Sequence, residues 1–206
     1  MAFLTHTQIA SELPSGYNQK LVARLLVRLE LELKKLDLVF TDPVQTIQSC
    51  KGESGSYNSL FDFTLASDIT AVNLKYLGSD SSSLLVQDED YTVVEHPNLD
   101  GYFYRIEMIR RELSPNEYLG LTAKFGVFID FSDLNTLDEK ANIVYGVVID
   151  WVLKQLDYAS RGYQHINSSS TGDTSVSFKE LDGRKYYSSI LKDPEFRSDL
   201  SYFTTI

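Results

Sequence analysis

Leucines recur every three or four positions between Tyr17 and about Leu38. Leu21, Leu25, Leu29, Leu33 and Leu36 fall on one stripe, and Val22 and Leu26 widen it. That period predicts a long amphipathic helix whose apolar arc needs cover from more than one side. Glu30 stands four residues before Lys34, the favourable order for an ion pair along a helix. Three heptads of leucine read as core rather than as a zipper. Ahead of this stretch, Thr5 or Thr7 is expected to cap a short helix closed by Leu13-Pro14, because proline disfavours a helical residue before it.

Past Thr41-Asp42-Pro43 and the polar link 51–56, the period changes from 3.6 to 2. Phe61/Phe63/Leu65, Val72/Leu74/Tyr76 and Tyr102/Tyr104/Ile106/Met108 alternate with polar or small neighbours. Strands are expected over 57–65, 70–77, 84–87, 91–95, 102–109 and 118–129, parted by turn signals such as Gly78-Ser79-Asp80 and Ser114-Pro115-Asn116. An antiparallel sheet or small sandwich follows.

A second helical period begins at Thr136-Leu137-Asp138-Glu139, which reads as a capping box with Thr136 as the cap. Ala141, Val144, Tyr145, Val148, Trp151, Val152, Leu156 and Ala159 continue the stripe to Arg161, and Gly162 is the expected stop. Gly146 inside the helix suggests close approach by a neighbouring helix. Then comes Ser168-Ser169-Ser170-Thr171-Gly172-Asp173-Thr174-Ser175-Val176-Ser177-Phe178, read as a polar turn leading into one period-2 strand without a hairpin partner. Its free N–H and C=O groups must pair elsewhere in the fold or with another molecule. The remainder, rich in Tyr, Lys and Asp, reads as a tail with too little pattern for a core of its own.

The expected class is therefore α+β: a helical bundle of two long helices plus shorter ones, an antiparallel β insertion, and an extended C-terminal strand and tail. Residues 1–51 and 131–167 would form the helical core, 52–130 the insertion, and 168–206 the strand and tail.

Composition adds limits. The net charge is −10, and it is uneven: +1 over residues 1–38, −9 over 39–135 and −2 over 136–206. An acidic middle argues against tight binding of DNA, which rests on Lys and Arg. No apolar run reaches the roughly 18 residues of a membrane span, and the N-terminus does not read as a signal peptide. A single cysteine, Cys50, excludes an intramolecular disulfide framework.

Candidate chemistry is sparse. His6, His96 and His165 have no second ligand at helical spacing and read as surface histidines. Cys50 beside Lys51 raises the idea of a lowered thiol pKa, against which stands the absence of any triad-like context. There is no nucleophile elbow, phosphate loop or dinucleotide fingerprint. Asp88-Glu89-Asp90 is acidic enough to touch a cation but lacks EF-hand spacing. No catalytic residue, metal or cofactor is assigned, and the chain is expected not to be an enzyme.

Ser170, Gly172, Asp173, Ser175, Val176, Ser177 and Phe178, preceded by an amphipathic helix ending near Arg161-Gly162, form a segment that resembles the C-terminal half of head–tail adaptor (connector) proteins of tailed bacteriophages. The helical N-terminus fits as well, so the likeness covers about half of the chain. The helix lacks the Pro that often opens it in that family, and the β-rich middle has no counterpart in its smallest members. What the resemblance implies is a non-enzymatic virion protein, made in the bacterial host cytoplasm. It would form a ring of about twelve copies between the portal protein and a neck, stopper or tail protein, around double-stranded DNA that passes without specific binding.

On that reading Gly172, Asp173, Thr174, Ser175, Val176, Ser177 and Phe178, with Tyr186, Tyr187, Tyr202 and Phe203, would contact the portal or a neighbouring subunit. Tyr145, Val148, Trp151 and Val152 would pack the ring. Deleting residues 168–206 would abolish docking and leave the helical core folded. The alternative is an oligomeric binding module whose Tyr-rich β insertion recognises a protein or glycan. A third is a small enzyme with a dispersed site.

Overall fold

In the computed structural model, which describes residues 3–51, 57–160, 168–171, 174–177 and 190–204, the first long helix, α1, runs Gln19–Leu33. Asn18 caps it, its side chain accepting the Leu21 amide at 3.1 Å. Val22, Leu25, Leu26, Leu29 and Leu33 are buried along the expected stripe. The helix ends sooner than its pattern: Lys34–Leu36 tighten into a 3-10 turn, and Asp37 takes a left-handed φ of 59° that breaks the period.

The second helix, α2, spans Glu139–Ser160. Its cap is Asp138, not Thr136: the Asp138 carboxylate accepts the Ala141 amide at 2.7 Å, while the Thr136 hydroxyl donates to Asp133. Ala141, Val144, Val147, Val148, Trp151 and Val152 are buried. Gly146 is exposed, and a Cβ there would meet nothing within 4 Å, so the expected close approach is absent within the described residues. A third helix, α3, spans Pro194–Leu200.

Strands dominate the rest. They are β1 (Leu38–Val39), β2 (Gln45–Cys50), β3 (Leu60–Tyr76), β4 (Ser82–Leu84), β5 (Tyr91–His96), β6 (Leu99–Met108), β7 (Glu117–Phe125) and β8 (Val127–Phe128). Six of these form one antiparallel sheet in the order β2-β7-β3-β6-β5, with β4 on β3. β3 merges two expected strands. Its seventeen residues pair first with β6 and then with β7, and register shifts near Asp62/Ala66 and Ser67/Ala71 let it bend. Phe61, Val72, Leu74, Ile106, Leu119 and Leu121 fill the sheet's buried face, as alternation requires. β1 and β8 make a short parallel pair. Gly126, φ 93°, lets the backbone pass Val39 where any Cβ would collide at 2.6 Å.

These elements correct the expected architecture. The chain is α+β in the broad sense, but it is no bundle of two long helices. Among the described residues a six-stranded antiparallel sheet is the largest element, accompanied by three α-helices. The physical reason is that alternation runs through bulges, so segments read as separate short strands join into a sheet with a continuous core. Two compact units result: Met1–Lys35 with Phe131–Ser201, and Leu36–Asp130 with Tyr202–Ile206.

A second correction concerns the solitary strand. Thr174–Ser177 (β10) pairs antiparallel with Ser168–Thr171 (β9) through four residue pairs, as a two-stranded sheet of its own. The serine run read as a turn is itself a strand. Polar period-2 sequence carries no alternation signal to reveal it.

Candidate functional site

The residues singled out from the sequence separate into three groups. Thr174, Ser175, Val176 and Ser177 lie on β10. Gly172, Asp173, Phe178, Tyr186 and Tyr187 lie outside the described residues. Tyr202 is half-buried, and Phe203 is 1% exposed with its ring 5.2 Å from that of Tyr202. On α2, Val148, Trp151 and Val152 are fully buried inside the chain, while Tyr145 is half-buried and meets Phe131 at 6.4 Å. A contact between copies through α2 would therefore use its exposed positions, among them Tyr158.

Residues 190–204 are fastened to their own chain. Asp193 caps α3, accepting the Glu195 amide at 3.2 Å, and Pro194 fits the first turn where its missing N–H costs nothing. Lys154 of α2 donates to Asp193 at 2.8 Å and also reaches Glu195, so its pKa is raised by both carboxylates. Glu32, buried on α1, accepts the Ile190 amide at 2.8 Å and pairs with Arg28 at 3.4 Å. Ile190, Phe196 and Leu200 are buried. Deleting residues 168–206 would remove this packing and the Ile190 amide bond to Glu32, contacts that the expectation of an unchanged helical core did not include. Asp193-Pro194-Glu195 is a helix-start signature that the tail reading passed over.

The sheet unit holds the other fastening. His96 is buried at 3% exposure, which corrects its reading as a surface residue. Its Nδ1 accepts the Asn98 amide at 3.2 Å, and the Thr204 backbone lies near the ring. Asn98 Nδ2 donates to the Tyr202 carbonyl at 3.5 Å. Burial lowers the His96 pKa and outweighs the nearby Thr204 backbone, which raises it. His6 is half-buried beside Tyr17, and His165 lies outside the described residues.

Reactive chemistry gains no support from geometry. Burial pushes the Cys50 thiol up to about 11, the opposite of an activated nucleophile. Asp88-Glu89-Asp90 is absorbed by its turn: Asp90 accepts the Val86 amide at 2.9 Å and Glu89 faces Arg110 at 3.9 Å. Among the described residues, no three His, Cys, Asp or Glu side chains converge as a metal site would need. A cleft of about 560 Å³ between the start of α1 and the end of α2 is lined by Tyr17, Leu21, Leu153, Leu156 and Asp157, with no acid–base pair in it. No described helix is long and apolar enough to cross a membrane.

What the surface does offer is unpaired apolar area. Val27 and Leu31 stand one turn apart on the outer face of α1, both exposed. Val44 and Ile47 stand beside and on the edge strand β2, at 74% and 65% exposure.

Comparison with known proteins gives little more. No family model matches the chain, and no curated protein matches it. Among solved structures, a chain from the neck of an empty GTA particle, computed with C6 symmetry, aligns over 98% of this chain and 87% of its own. Identity is 12% and the TM-score 0.43.

Proposed function

We propose that this chain is a structural virion component: a head–tail adaptor that assembles as a ring between the portal and the neck or tail of a tailed bacteriophage, and lines part of the DNA path. The observation that carries the reading is the segment Ser170 to Phe178, whose Ser-x-Gly-Asp-x-Ser-Val-Ser-Phe order matches the adaptor pattern and follows a long amphipathic helix. In support, that segment includes β10, part of a small hairpin sheet separate from the six-stranded one, and such a hairpin is at most marginally stable unless something covers it. The role needs no catalysis, and the chain would act through surfaces alone.

The acidic middle suits a conduit. Carboxylates within about 8 Å of passing DNA, one Debye length at physiological salt, repel phosphate and keep the duplex from sticking. Native mass spectrometry and negative-stain imaging of the full chain, alone and with a portal protein, test the proposal. A cyclic oligomer of about twelve copies, formed alone or on the portal, is the expected result. A particle that stays monomeric with and without portal would remove the adaptor reading.

A further inference from the structure

The outer strands at the two ends of the β2-β7-β3-β6-β5 order are finished differently. At β5, Gln87 bridges to Tyr91, and the Asp88 amide donates to the Tyr91 carbonyl at 2.8 Å, so a turn closes the strand's start. The ladder to β6 then shifts register at Val94/Glu95 and again at Glu95/His96. At the far end the Asn98 side chain, in the turn that follows His96, donates to the Tyr202 carbonyl at 3.5 Å. Turns, bulges and covering segments are the devices by which proteins keep an edge from pairing with another chain.

Among the described residues β2 has no register shift and no closing turn of this kind, and its side-chain bonds go back to β3, Gln45 to the Asp68 carbonyl and Gln48 to Thr64. Its ladder to β7 runs through six consecutive pairs, Gln45↔Lys124 to Cys50↔Leu119, with no shift. No charged residue and no proline occurs in Gln45–Cys50, and Ile47 is exposed. β7 is its strand partner among the described residues, so the N–H and C=O groups that point the other way meet no strand.

A second unfinished edge sits in the same sequence. β9 and β10 pair only with each other among the described residues, and Ser-Ser-Ser-Thr with Thr-Ser-Val-Ser is as free of charge as β2. Two short uncharged strands gain a third partner without burying a charge. We propose that the outer edge of β2 receives the β9–β10 hairpin of a second copy of this chain. The two surfaces differ, so the contact is head-to-tail and propagates from copy to copy, closing as a ring where the rotation permits. The inference rests on the reading that the chain assembles with itself, and it names the surfaces that do so.

The test uses two full-length variants, Ile47→Cys and Ser175→Cys, mixed and treated with a short bis-maleimide reagent. Native Cys50, buried, serves as the unreactive background, and wild-type protein is the control. A heterodimer joined between residues 47 and 175, seen at twice the monomer mass in the mixture and not in either variant alone, is the expected outcome. Absence of that heterodimer, or a double variant that links only within one chain, overturns the proposal. Native mass spectrometry of the same samples separates the two failures. Rings that form without the cross-link reject the β2 edge and leave the adaptor reading standing, whereas monomers in every sample, portal added, reject both. In a second arm, Ile47→Lys is expected to lose the oligomer while keeping the monomer's circular dichroism. An unchanged oligomer counts against the edge.

Discussion

Individual side chains show how far local context decides behaviour. Cys50 sits on a strand beside a lysine, which in sequence suggests an activated thiol. Its burial under the sheet decides otherwise, and the native protein is expected to leave a colorimetric thiol reagent unreacted at pH 8 until denaturant is added. His96 behaves by the same logic with opposite sign. Its folded pKa lies below the ordinary 6.5, so the unfolded chain binds the extra proton first. Stability is then fully present above pH 6.5 and falls as pH drops from there through the lower folded value. Urea melts at pH 7 and pH 5 should show that loss in the wild type and a smaller one in His96→Gln. The histidine was visible in sequence. Its burial was not, because the Thr204 backbone that meets it lies over a hundred positions away in the chain.

Among the elements, legibility followed pattern strength. α1 and α2 were readable because their apolar stripes recur over several turns. Their ends were not, since a left-handed Asp37 and a cap at Asp138 are single-residue events. β2 went unread because Gln-Thr-Ile-Gln-Ser-Cys lies at a sheet edge, where no alternation is enforced. β9 was hidden by a serine run and α3 by its shortness. Two substitutions probe the helices. Gly146→Ala should stabilise by up to about 1 kcal/mol in chemical denaturation, since the site is exposed and open to a methyl group. Asp193→Ala should cost about 1 kcal/mol through the lost cap alone. It also takes one of the two carboxylates from Lys154, so a double-mutant cycle with Lys154→Met is expected to show coupling. Of the candidate assembly residues, β10 lies on a separate hairpin, while Val148, Trp151 and Val152 serve the interior. A stripe on a helix tells which face is apolar, not whose surface covers it.

For the molecule as a whole, the helical unit is discontinuous in sequence: its first part closes at Lys35 and resumes at Phe131. The leucine face of α1 therefore leaves the ribosome long before α2 exists to cover it. At about 5–20 residues per second the wait is roughly 5 to 20 s, time enough for the intervening sheet to fold first. A nascent chain stalled shortly after Asp130 has emerged should accordingly give a protease-resistant fragment of the sheet while residues before Lys35 are still cut. Until then a greasy, unshielded helix is exposed to water, and chaperone demand during synthesis is the cost of interrupting the sequence of one unit with that of another.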